Sequence, residues 1–140
     1  MPVRVAVDAL GGDHAPVEVV AGAVEAASDT LTPVLFGPGD LDRRGLELVV
    51  CSGEIAMRDK PAEAVRAKPD SSLVRSVRAV GDGDAAAVVS AGNTGAVLAA
   101  SLLHVRRLPG VHRPGIAIMI PSRRGPTVLI DAGANADARP

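Results

Sequence analysis

Aromatic residues are almost missing: Phe36 is the only one among 140 residues, with no Trp and no Tyr. Nucleic-acid binding leans on aromatic stacking and excess positive charge, so this scarcity and a formal net charge of −1 argue against such a partner. Cysteine is as scarce. Cys51 stands alone, which excludes an intrachain disulfide and suits a reducing compartment. Lysine occurs only at Lys60 and Lys68, against thirteen arginines. No long apolar run is present either. The longest, Ala96 to Leu103, contains Ser101 and is followed by His104, well short of the ~20 residues of a membrane span. Met1 to Asp8 has the pattern of a strand carrying Arg4, not of a signal peptide, and the expectation is a soluble, cytoplasmic protein. Familiar catalytic and phosphate strings are absent as well: G-x-G-x-x-G, G-x-x-x-x-G-K-[ST] and G-x-S-x-G do not occur. His14, His104 and His112 do not fall at metal-ligand spacing.

Small aliphatic side chains fill the space. Apolar residues make up 47% and charged residues 22% of the chain, the balance of a globular domain with a core of Ala, Val, Leu and Ile. Val3 to Val7 reads as a first strand ending at Asp8. Pro16 suits the first helical position, and Val17, Val20, Ala21 and Val24 then recur at helical spacing. Thr32 to Phe36 and Leu46 to Cys51 read as strands, with one short helical turn between them at Asp40 to Arg44. The second of these strands is apolar on both faces, as for a parallel strand covered by helices. Ser52 to Asp70 is the least regular stretch and holds a short helix from Ala62 to Ala67. Ser71 or Ser72 caps a better helix, with Leu73, Val77 and Val80 on one face, which ends at Gly81. Ala85 to Val89 reads as a buried strand. The helix after it, to Val105, is apolar on nearly every side, which predicts burial on both. Ile116 to Ile120 and Thr127 to Ile130 are strands whose short connection predicts an antiparallel hairpin. The alternation predicts an α/β fold, a largely parallel sheet in three layers.

Three loops leave the carboxyl ends of predicted strands, at Asp8, Ser90 and Asp131, each rich in Gly with Asp or Asn. In open α/β sheets ligands bind in the crevice at those strand ends, so the loops are expected to converge on an anion. The middle loop, Ser90-Ala91-Gly92-Asn93-Thr94-Gly95-Ala96, carries the clearest logic. A strand, a Gly-rich turn and a helix start aim backbone N–H groups and the positive helix end at a negative group. Gly92 and Gly95 permit close approach, and Ser90, Asn93 and Thr94 add donors, any of which could cap the helix. A plain β–α turn has the same composition, so the companion loops carry the argument. Asp8, Asp13, Asp131 and Asp137 could hold a metal, but carboxylates at loop starts more often cap helices or hold turns; no metal or other cofactor is expected. Cys51 reads as a buried structural thiol. Both lysines lie in the irregular segment, and a compact ammonium contacts phosphate as a point charge. Lys60, between Asp59 and Pro61, is the better candidate.

Four stretches together resemble the PlsX family of phosphate acyltransferases. They are Ala6-Val7-Asp8-Ala9-Leu10-Gly11-Gly12-Asp13-His14-Ala15-Pro16, Asp59-Lys60-Pro61-Ala62-Glu63-Ala64-Val65-Arg66-Ala67-Lys68 with Ser71-Ser72 after it, Ser90 to Ala96, and Asp131-Ala132-Gly133-Ala134-Asn135-Ala136-Asp137. They stand in the family's order and span the chain. The resemblance implies an enzyme that converts the long-chain acyl group of acyl carrier protein, with inorganic phosphate, into acyl phosphate and free carrier. That is an early step of bacterial phospholipid synthesis. It implies a homodimer with a fold related to isocitrate and isopropylmalate dehydrogenases and to phosphotransacetylases, cytoplasmic and loosely associated with the membrane. Family members are more than twice as long, so residues 1–140 are read as the N-terminal part of a single domain, without the regions for acyl-chain binding, dimerisation and membrane contact. The alternative is a truncated, non-catalytic fragment that keeps a phosphate-binding half-site. The family commonly has Cys where this chain has Ala138, so no thiol is required there.

On this reading inorganic phosphate is itself the nucleophile, and the protein holds it against the thioester carbonyl and stabilises the oxyanion that forms. Lys60, Asn93 and Asn135 are the expected catalytic residues. Gly11, Gly12, Ser90, Gly92, Thr94, Gly95 and Gly133 are expected to line the phosphate pocket, supported by Asp8, Asp13, Asp131 and Asp137. Arg123-Arg124 and the pair Arg75 and Arg78 are candidates for docking an acidic carrier protein.

Overall fold

A computed structural model describes residues 1–111 and 114–130 of the chain. They fall into two compact units, Met1 to Arg106 and a second that begins at Arg107. The first is built on four parallel strands: β1 (Val3–Asp8), β2 (Leu31–Gly37), β3 (Glu47–Val50) and β4 (Ala87–Val89). Their spatial order is β3-β2-β1-β4. The helices are α1 (Val17–Ala26), α2 (Pro61–Ala67), α3 (Ser72–Gly81) and α4 (Thr94–His104). The chain steps outward from β1 to β3, then returns through α2 and α3 to place β4 on the other side of β1. The chain direction reverses between β1 and β4, and in open α/β sheets the carboxyl ends of the strands at such a point are the usual ligand position.

Side chains alternate across the strands and so build a core on each face. Val7 and Leu35 pack with Val20 and Ala23 of α1 on one face. Ala6, Val34 and Phe36 pack with Ala79 of α3 and with Cys51 on the other. Leu73, Val74 and Val77 of α3 then meet Val65 of α2 and Ala96 and Ala100 of α4. The expected parallel sheet with helices on both faces is present. Ser71, not Ser72, caps α3, with the Val74 N–H donating to Ser71 Oγ at 3.5 Å.

Several local expectations need correction. The first helix begins at Val17 with Pro16 in the capping position, one residue later than expected. It buries Val20 and Ala23, while Val17 is 59% and Val24 39% exposed. This helix is apolar nearly throughout, so periodicity leaves its buried face open, and the small Ala23 fits over Val7 and Leu35. Asp40 to Arg44 forms no helical turn, because Arg44 and Gly45 take left-handed backbone at φ 45° and 87°. β3 is an edge strand with only its central residues half-buried, not a strand covered on both faces. β4 is three residues long and leaves Val89 55% exposed, where a buried strand was expected. α4 buries Ala96 and Ala100 against α2 and α3, yet Leu103 is 52% exposed, so only one side is covered. Arg106, at φ 72°, ends this helix with its N–H on the Ser101 carbonyl at 2.8 Å, before Pro109 is reached.

The second unit holds the expected antiparallel hairpin, β5 (Ala117–Ile120) with β6 (Thr127–Ile130), in which Ala117 faces Ile130 and Ile120 faces Thr127. Arg123 and Arg124 are exposed at its tip. No helix among the described residues is long and apolar enough to cross a membrane.

Candidate functional site

β1 ends on a buried carboxylate. Ser72 Oγ donates to Asp8 Oδ1 at 2.6 Å and Ser90 Oγ donates to Asp8 Oδ2 at 2.7 Å. One side chain thus ties β1 to the start of α3 and to the loop after β4, across 64 and 82 residues of sequence. The two O–H donors give each carboxyl oxygen a partner, which offsets the cost of burying a polar group. Ser90 Oγ in turn accepts the Gly92 N–H at 3.1 Å. A Cβ at Gly11 would lie 2.5 Å from Asp8 Oδ2 and 2.9 Å from Gly92 N, and one at Gly92 would lie 3.2 Å from Gly11 Cα. The first two glycine-rich loops therefore meet backbone to backbone, as expected of loops that converge. Gly12 takes a φ of 115°, beside Ala91. Asp13 is exposed and makes no side-chain hydrogen bond or ion pair among the described residues, which leaves Asp8 as the loop's side-chain anchor.

Asn93 resolves the question of the cap. Its Oδ1 accepts the Ala96 N–H at 3.0 Å. Its amide nitrogen donates to the carbonyls of Ala56, Met57 and Asp59 at 3.2, 3.2 and 3.0 Å. Two amide hydrogens are shared among three acceptors, so this side chain has no donor to spare. The N–H groups of Thr94 and Gly95 are different. They open the helix without intrahelical acceptors, and neither has a hydrogen bond among the described residues. Thr94 is exposed beside them. Gly95 is set by packing, since a Cβ there would lie 2.6 Å from Pro61 Cγ. The starts of α2 and α4 consequently lie side by side.

Lys60 caps α2 between two residues that both touch the α4 start: Asp59 through its carbonyl and Pro61 through its ring. Its side chain is 79% exposed, with Nζ 3.3 Å from Glu63 Oε1, a surface pair of little strength. Lys68 is committed elsewhere. Its Nζ lies 2.7 Å from Asp59 Oδ2 and 3.0 Å from the Glu54 carbonyl. Hydrogen bonding from Lys68, and next from the Ala56 N–H, holds the Asp59 carboxyl below its ordinary range.

The remaining candidates lie apart from these loops. The Cys51 thiol is buried, donates to the Val49 carbonyl at 3.4 Å and is pushed by burial up to about 11. Arg75 is paired with Asp70, and with Arg4, Glu47 and Arg78 it lines a groove of about 710 Å³ that includes the amino ends of β1 and β3. An apolar groove of about 330 Å³, lined by Val5, Val7, Ala23 and Val89, runs beside Asp8 and Ala91. Among the described residues no three His, Cys, Asp or Glu side chains gather as metal ligands. Asp131, Gly133, Asn135, Asp137 and His112 lie outside the described residues. Sequence reasoning missed Ser72 as the partner of Asp8 and the carbonyls of Ala56, Met57 and Asp59 as partners of Asn93.

Residues 3–140 match the family model described as fatty acid synthesis protein. The phosphate acyltransferases of Heliobacterium modesticaldum and Pelotomaculum thermopropionicum are 45% and 46% identical over 98% of this chain. The chain spans 44% and 43% of their lengths, less than half of each. Among solved structures, the EutD phosphotransacetylase from Staphylococcus aureus shares the fold at a TM-score of 0.61 and 21% identity, over 98% of this chain and 48% of its own. A branched-chain phosphotransacylase from Enterococcus faecalis V583 does so at 0.59 and 20%, over 95% and 44%. The relatives' shared name bears out the resemblance read from the four motifs. With the match running from the third residue to the last, the chain belongs to the fatty acid synthesis protein family.

Proposed function

We propose that this chain provides the phosphate-binding part of a phosphate acyltransferase, which passes an acyl group from acyl carrier protein to inorganic phosphate. The observation that carries the reading is the pair of N–H groups at Thr94 and Gly95 that open α4 without a hydrogen bond among the described residues, on the loop that follows β4 beside β1. A phosphate oxygen attacks the thioester carbonyl, an oxyanion forms, and its collapse expels the carrier thiolate and leaves acyl phosphate. Binding at the α4 start aligns the nucleophile with free N–H donors and with the positive end of the helix. Lys60 offsets the phosphate charge. Gly11, Gly12 and Gly92 shape the loops, and Ser90 and Asp8 hold them. The resemblance adds Asn135 and Gly133, with Asp131 and Asp137, as further candidates for the same phosphate chemistry.

The family resemblance adds the finer expectations: an isocitrate dehydrogenase-like fold, a homodimer, a cytoplasmic protein in loose contact with the membrane, and residues 1–140 as the first part of one catalytic domain. They rest on the four motifs that carry the resemblance. Carrier docking falls to Arg123 and Arg124 before Arg75, which is engaged with Asp70. The span of 44% of a relative's length favours a second reading for the 140-residue chain by itself, phosphate binding without turnover. The test is phosphate-dependent release of carrier thiol from acyl-[acyl carrier protein], with phosphate binding measured on the same sample. Binding with turnover supports the enzyme reading, binding alone supports the half-site, and a folded protein that binds no phosphate contradicts both.

A further inference from the structure

We infer that Asn93 is a positioning residue for Lys60, acting on phosphate through that lysine and not by contact; the inference rests on the phosphate reading of the α4 loop. The Asn93 side chain is buried, both of its amide hydrogens are spent on protein carbonyls, and its Oδ1 accepts the Ala96 N–H. Its amide collects the carbonyls of Ala56, Met57 and Asp59, three partial negative charges that would otherwise face the N-terminal end of α4 and repel an anion there. The turn that presents them is closed on itself, with the Asp59 N–H on the Ala56 carbonyl at 3.0 Å and the Ala56 N–H on Asp59 Oδ2 at 3.1 Å. Lys68 donates to the same carboxylate oxygen at 2.7 Å. Lys60 is the next residue along, and Pro61 after it rests where a side chain on Gly95 would be. The lysine backbone is therefore fixed to α4 on both sides, by the Asn93 amide before it and the Pro61 ring after it, while its exposed ammonium is engaged only in a surface pair with Glu63 at 3.3 Å. Of the two lysines this one is the easier to turn toward an anion at Thr94 and Gly95, because it gives up only the surface pair with Glu63, whereas Lys68 is held by the Asp59 carboxylate at 2.7 Å and the Glu54 carbonyl.

The test is a double-mutant cycle on the 140-residue chain with inorganic phosphate as the probe. Asn93→Ser keeps a capping oxygen for α4 and removes the amide donors without adding charge; Asn93→Thr serves if Ser loosens the helix. Lys60→Ala removes the ammonium. Each single change is expected to weaken phosphate binding about tenfold, the effect of one charge-assisted contact, and the double change no further than the worse single one. Amide exchange at Ala56 and Asp59 is expected to quicken in Asn93→Ser, with the amides of β1 unchanged. Losses that multiply, or unchanged exchange at Ala56 and Asp59, overturn the positioning role. If the unsubstituted chain binds no phosphate, the loop reading itself fails; binding with multiplying losses sinks only the link to Lys60.

Discussion

Ser72 Oγ donates to Asp8 Oδ1 at 2.6 Å, joining the first residue of α3 to the last residue of β1. Both groups are buried, so loss of either partner strands a polar atom away from water. Asp8→Ala leaves the Ser72 and Ser90 hydroxyls without this acceptor and is expected to destabilise the chain by about 3 kcal/mol. Ser72→Ala leaves one carboxylate oxygen short and is expected to cost about 2 kcal/mol. Urea unfolding of the three proteins measures both. Midpoints that coincide with the parent's would show the buried network to be idle.

Two glycines separate backbone freedom from close packing. Gly22 lies inside α1, and nothing comes within 4 Å of a Cβ added there. Gly22→Ala is expected to stabilise the fold by about 0.5–1 kcal/mol through helix propensity. Gly11→Ala drives a methyl group against Asp8 Oδ2 and the Gly92 backbone and is expected to cost about 2 kcal/mol. Shifts of opposite sign in thermal midpoint are the expected readout. A tolerated Gly11→Ala would mean that the two loops do not meet as described.

The Cys51 thiol is expected to resist a thiol reagent in the folded protein at pH 8 and to react once urea unfolds it. Burial pushes it from 9.0 to about 11, so the folded state holds the proton more tightly than the unfolded one. Its contribution to stability is present below pH 9 and disappears as pH rises toward about 11. Stoichiometric labelling of the folded protein within minutes would contradict the buried placement.

His104 acts at the other end of the scale. Burial, and then nearby Arg78, lower its pKa from 6.5 against a weaker opposing pull from Asp82. The folded state disfavours the imidazolium, so stability is full above pH 6.5 and falls as pH drops through the lowered value. The Glu47 carboxyl, held down by the hydrogen bond from Arg4, enters only below its ordinary 4.5. His104→Gln is expected to flatten the stability profile just below pH 6.5. An unchanged acid limb would assign that loss to other groups.

Composition and periodicity made the layered α/β arrangement legible, because the alternating elements were long enough to reveal their periods. They also located two converging loops, since Gly11, Gly12, Gly92 and Gly95 interrupt apolar runs at strand ends. What each residue does there was less legible. Ser90 and Ser72 meet Asp8 from 82 and 64 residues away, and such pairings leave no local pattern. Gly95 looked like room for a ligand, yet its missing side chain makes room for Pro61. Asn93 looked like a free donor, although three carbonyls from an irregular segment take up its amide. The exposed sides of β3, β4 and α4 were misread for a related reason. Apolar residues on every side of an element predict burial, but strand order and neighbouring layers decide which side is covered.

The claim at the centre of the account is that inorganic phosphate binds at the start of α4. Titrating phosphate into the ¹⁵N-labelled chain while following backbone amide resonances tests it directly. Saturable shifts are expected, largest at Thr94 and Gly95, smaller at Gly11 and Gly12, and weakened by Lys60→Ala. Saturable shifts centred elsewhere, or none at Thr94 and Gly95 in a folded sample, would contradict it.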